Sequence, residues 1–122
     1  MSKSTGQHRQ LSPERWAAFS LDRQILMIAN EWHRAARFVG DPDNPPGLRA
    51  CCERALRLVD LTVEVNEHSG LRRELLRWRE LVGAIYISAS LSPEAHRSAL
   101  RVLLQLHPAA ARQIPHLAEA GR

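Results

Sequence analysis

Six histidines, His8, His33, His68, His96, His107 and His116, are spread along the 122-residue chain. Histidine is the side chain best suited to moving a proton or holding a metal near neutral pH. A helical di-iron or di-manganese centre would need inward-facing glutamates and Glu-x-x-His pairs on facing helices. No Glu-x-x-His occurs here: Glu64 and His68 are four apart at a helix end, and Glu94 and His96 only two apart, on different helix faces. No metal site and no cofactor are therefore expected, and the histidines are assigned to termini, helix ends and exposed faces. No serine stands in a nucleophile elbow, no glycine-rich loop could cradle a phosphate, and no Cys-x-x-Cys spacing appears. The balance leans away from an enzyme.

Arginine carries the remaining chemistry. Sixteen of the 17 basic residues are arginine, against 13 acids, for a net charge of +4. Guanidinium groups bind phosphate and carboxylate in a planar, bidentate way, although a GC-rich genome produces the same bias. Arg72, Arg73, Arg77 and Arg79, around Trp78, form a candidate nucleic-acid interface, with Arg34, Arg37, Arg97 and Arg101 able to join it through the fold. Glu74 and Glu80 interrupt the cluster, and Asp41 to Gly70 holds six acids against three arginines. A helix surface laced with ion pairs, with Trp78 in the core, is the competing assignment. Arg101 and His107 enclose Val102-Leu103-Leu104-Gln105-Leu106, a spacing that resembles the Arg-x4-6-His motif of the HEPN ribonucleases over these seven residues alone. The resemblance implies a small helical bundle acting on RNA, with His107 in acid/base work and Arg101 stabilising a phosphorane-like charge. Val102 departs from it, standing where that family commonly has a polar residue.

The scaffold is bounded by composition. A hydrophobic fraction of 44% and a charged fraction of 25% belong to a folding, globular chain. At this length about 65% of the unfolded chain's surface is buried on folding, enough for one core, so residues 1–122 are expected to form one domain with 1–10 and 117–122 loose. Cys51 and Cys52 are neighbours within an expected helix, where they cannot form an unstrained disulfide. Met1 to Gln10 is polar, and no run approaches the ~20 apolar residues of a membrane span. A reducing, cytoplasmic setting without a membrane partner follows as the expectation.

The elements are read from apolar spacing. Ser12-Pro13-Glu14 starts a short helix, and Leu21 to Val39 continues as a second with its stripe at Leu21, Ile25, Ile28, Ala29, Trp32, Ala36 and Val39. The three prolines and two glycines of Gly40 to Gly47 predict a loop. Leu48 to Val65 gives the next helix, and Ser69-Gly70 is taken as its end. Leu71, Leu75, Trp78, Val82, Ile85 and Ala89 mark another, preferred over a short strand at Val82 to Ile87 because the stripe passes through it unbroken. Ser92-Pro93-Glu94 opens a helix running to about His107, before a last short one at Ala109 to Ala111. The predicted architecture is all-α: an antiparallel, up-and-down bundle of four main helices with short extra helices at the N- and C-terminal ends.

Leu81 to Leu91 has no charge and is apolar nearly all round. Either the short N-terminal helix bearing Trp16 and Phe19 covers its spare face, or that face meets a partner. Tyr86 and Ile87, which fall off the main stripe, are the candidate contact residues. The expected function is a non-enzymatic module that binds another protein, or itself as a homo-oligomer, in an adaptor or regulatory role. RNA binding, with or without ribonuclease activity, is the alternative.

Overall fold

The computed structural model describes residues 11–41 and 43–106. Five α-helices follow one another: α1 (Pro13–Ala17), α2 (Leu21–Arg34), α3 (Pro45–Val65), α4 (Ser69–Ser88) and α5 (Pro93–Leu104), with a 3-10 segment, Ala35–Phe38, extending α2. There is no strand among the described residues, so the protein is all-α. His107, the expected helix at 109–111 and the expected loose stretches 1–10 and 117–122 lie outside those residues.

Each helix begins on a side chain that accepts a first-turn N–H. Ser12 accepts from Arg15 (3.2 Å), Ser20 from Arg23 (3.1 Å), Asn44 from Gly47 (3.1 Å), the His68 Nδ1 from Leu71 (3.1 Å) and Ser92 from Ala95 (3.0 Å). Such caps satisfy donors that the helix itself leaves orphaned, at about 1 kcal/mol each. Proline in the first turn of α1, α3 and α5 adds a fixed φ where no N–H is needed.

Three boundaries differ from expectation. Past Arg34 the second helix tightens to 3-10 geometry and stops at Phe38, short of Val39. Pro45, Pro46 and Gly47 belong to the first turn of α3 rather than to the loop, because Asn44 caps them and proline fits there. Ser69 and Gly70 open α4 instead of closing α3; α3 ends at Val65, and His68 is the cap of the next helix.

Four helices close into a ring of contacts: α2 on α3, α3 on α4, α4 on α5, and α5 back on α2. Helix α1 packs on α3. The buried apolar side chains form one cluster in which Trp16, Ile25, Ile28, Trp32, Leu58, Leu75, Val82 and Leu103 have no exposed surface and Trp78 almost none. All three tryptophans spend their indole N–H on another helix. Trp16 donates to Thr62 Oγ1 (2.9 Å), Trp32 to the His96 carbonyl (3.1 Å) and Trp78 to the Ala99 carbonyl (2.8 Å). A second polar chain staples the ends of α1 to α4: Gln24 Nε2 donates to the Trp16 and Phe19 carbonyls (2.9 and 3.0 Å), and Asn66 Nδ2 donates to Gln24 Oε1 (2.9 Å). Arg72 Nε completes it by donating to the Val63 and Asn66 carbonyls (3.0 and 2.6 Å). Buried polar groups satisfied in this way fix one arrangement of the helices.

Candidate functional site

The arginines of the basic cluster are largely occupied within the fold. Arg72 ties α4 to the end of α3 as described, Arg77 pairs with Glu74 (3.3 Å), and Arg79 reaches Asp60 of α3 (2.7 Å). The hydrogen bond from Arg79 to Asp60 and the Asp60 charge hold the Arg79 pKa above its ordinary value. Trp78, at their centre, is core. Arg101 is exposed on α5, and its counterpart His107 is outside the described residues. Among the described residues no three His, Cys, Asp or Glu side chains converge as a metal site.

Cys51, Cys52, His68 and His96 are bound into the fold. Cys51 and Cys52 are free and buried. Burial raises both thiols, Cys52 to about 11, against a partial counter-effect of Arg54 on Cys51; at neutral pH neither is a useful nucleophile. His68 is a helix cap. His96, expected at the surface, is 3% exposed: its ring stacks on Trp32 (centroids 5.5 Å apart, planes at 24°), and Nε2 lies 2.8 Å from the Trp32 carbonyl. Only a protonated Nε2 can donate to that carbonyl, so the tautomer is fixed. The apolar partner that hides this histidine sits 64 residues away in sequence, and no local pattern announces it.

Tyr86 and Ile87, adjacent in sequence, go different ways. The Tyr86 hydroxyl donates to Glu53 Oε2 of α3 (2.9 Å), and Arg49 lies over its ring (5.8 Å) with Nε donating to the Tyr86 carbonyl (3.1 Å). The hydrogen bond to Glu53 keeps the phenol pKa above its usual value. Tyr86 thus helps clamp α4 to α3. Ile87 points out and is 78% exposed. Of the four large apolar side chains that are exposed among the described residues, three are on α4: Leu76 (47%), Leu81 (40%) and Ile87. Ala84 is exposed as well. Leu81 and Ile87 each stand three residues from Ala84, hence about 60° to either side of it on the helix. The outer face of α4 thus carries a strip in which Leu81 and Ile87 flank Ala84, with the exposed Glu80 and Ser88 about 40° to either side of Ala84 on the same face.

Sequence reasoning singled out Ile87, which is exposed, but not Leu81, Ala84 or Leu76, which are exposed on the same helix. Leu81 lies one position from the core residue Val82, and the apolar run at 81–91 hides which turns face out.

At the C-terminal end of α4 lies an open hollow of about 550 Å³ lined by Phe38, Gly40, Asp41, Pro45 and Ser88 to Leu91. Its rim is built by the cap of α4, where Ala89 takes a left-handed conformation (φ 54°) and donates its N–H to the Ile85 carbonyl (2.8 Å), and by the Gly40 N–H donating to the Leu91 carbonyl (3.2 Å). Comparison with protein-family models, with curated proteins and with solved structures finds no match.

Proposed function

We propose that this protein is a non-enzymatic interaction module and that it works by associating with a second copy of itself through the outer face of α4. The observation that carries this is the strip of Leu81, Ala84 and Ile87, with Ile87 78% exposed on an otherwise ordered helix. Burying isoleucine and leucine side chains removes apolar area from water at roughly 25 cal/mol per Å². The helix that could have covered the strip, α1, is committed to α3. The strip is also self-complementary: with Ala84 at the centre two helices approach closely, and Leu81 of one stands level with Ile87 of the other when they run antiparallel.

Within the chain we take the four main helices to be an antiparallel, up-and-down bundle, a reading supported by the closed ring of contacts and by the three- and four-residue connections at 66–68 and 89–92. We take its setting to be cytoplasmic, which the two unpaired cysteines support. No described helix is long and apolar enough to cross a membrane.

Size-exclusion chromatography with light scattering on the whole chain tests the proposal. A dimer that Ile87→Asp converts to monomer, with unchanged far-ultraviolet circular dichroism, is expected. A monomer at all accessible concentrations refutes it. Co-elution with nucleic acid at low salt, lost at high salt, would instead favour the RNA-binding alternative.

A further inference from the structure

The charge along α4 and its surroundings is polar end to end. The N-terminal half carries Arg72, Arg73, Arg77 and Arg79 against Glu74 and Glu80, and residues 81–91 carry no charge. The C-terminal end abuts the 39–44 loop, which holds Asp41 and Asp43 and no basic residue. Asp41 lines the hollow there, and one of its oxygens already accepts from the Asp43 N–H (3.1 Å). The last carbonyls of a helix add a partial negative charge at the same place. Arg49, which reaches this end of α4, is held on the α3 side over Tyr86.

Resting on the self-association proposed above, we infer that the two α4 helices cross antiparallel about a two-fold axis at Ala84, and that Arg77 of each chain enters the Asp41-lined hollow of the other. The register follows from counting along the strip. Arg77 is seven residues before Ala84, about 10.5 Å along the helix, whereas α4 ends at Ser88, four residues after Ala84, where the lining of the hollow begins, so an antiparallel pair carries Arg77 past the partner's last helical turn to the level of the hollow. The same register sets Glu80 against Ser88, so no two acids meet. A parallel pair would stack the arginine-rich halves on each other and leave both hollows facing like charge. The guanidinium of Arg77 is free to make this exchange because its present partner, Glu74, is a solvent-exposed i,i+3 contact, with the two side chains 69% and 44% exposed, and such pairs exchange at little cost.

Sedimentation equilibrium on the full chain, with Arg77→Glu, Asp41→Lys and the double variant, tests the inference. Both positions are exposed, and circular dichroism checks that each variant is folded. Symmetry places every contact in the dimer twice. A loss of roughly fivefold per contact, typical of an exposed pair, therefore becomes about twenty-five-fold in the dimer constant for each single charge reversal. The double variant, with the charges exchanged, is expected to recover to within about fivefold of the parent. Oxidised Ala84→Cys should yield a covalent dimer under non-reducing electrophoresis, because the two-fold axis brings position 84 against itself. If Ile87→Asp dissociates the dimer while the double variant stays as weak as the two losses combined, the Arg77 contact is wrong and the self-association stands. Failure of Ala84→Cys to cross-link a dimer that still forms overturns the antiparallel register. A parent chain that never dimerises overturns both proposals.

Discussion

Removing the hydroxyl of Thr62 gives the sharpest test of how the core is held. Thr62 has no exposed surface, and Oγ1 accepts the indole N–H of the equally buried Trp16 (2.9 Å) while donating to the Leu58 carbonyl (2.7 Å). Thr62→Val keeps the volume and the β-branch. The Leu58 carbonyl retains its helical partner, whereas the Trp16 N–H is left without one. An orphaned buried donor costs about 1–3 kcal/mol, a large share of the roughly 5–15 kcal/mol that holds a domain together. With a slope of about 2 kcal/mol per molar urea, the unfolding midpoint should fall by about 1 M, read by circular dichroism at 222 nm so that indole fluorescence changes do not interfere. The attribution rests on a second background. Trp16→Phe deletes the donor, and there Thr62→Val should be close to neutral, because both partners of the bond are then gone. Equal costs in the two backgrounds would mean that the hydroxyl acts elsewhere and that this bond is not what ties α1 to α3.

Two further outcomes are expected. Burial lowers the His96 pKa from its ordinary 6.5, the hydrogen bond to the Trp32 carbonyl opposes the shift, and the charges of His33 and Arg97 add to it. The unfolded chain thus takes up the proton first, so stability should be independent of this group above pH 6.5 and decline as the pH falls below it; His96→Gln should flatten that part of the urea midpoint against pH, and an unchanged slope would remove His96 as its source. Ala89 caps α4 at φ 54°, which costs a residue bearing a Cβ but not glycine, so Ala89→Gly should raise stability by about 0.5–1 kcal/mol, and a lower midpoint would show that the cap is not strained.

Much of the fold was legible because local signals agree with one another. Ser12-Pro13-Glu14 and Ser92-Pro93-Glu94 mark two helix starts, and the stripes through Ile25, Ile28 and Trp32 and through Leu75, Trp78 and Val82 mark faces that are buried. What escaped depends either on a residue type unusual for its role or on a polar partner that the apolar pattern does not reveal. His68 is an uncommon N-cap residue, so Ser69-Gly70 looked like a stop. His96 and Gln24 are polar residues whose burial is compensated by carbonyls of other segments. The candidate face was half legible: an uncharged stretch indicates that α4 has apolar area to spare, but which turns are covered depends on where α1 and α3 lie. Tyr86 was diverted to Glu53 by an α3 residue 33 positions earlier.

The stacked, doubly bonded pair of Trp32 and His96 also bears on how the chain assembles. Contacts between consecutive helices can form as soon as each helix exists, but this pair joins residues 64 apart, and loop closure over that span is an entropic cost that local pairs do not bear. The ring is therefore expected to stay open on the ribosome until α5 emerges, with Trp32 and Trp78 both lacking their α5 carbonyl acceptors. A nascent chain or fragment ending before Pro93 would expose this indole-rich seam to solvent, and α5 acts as the latch that makes the earlier helices cooperative.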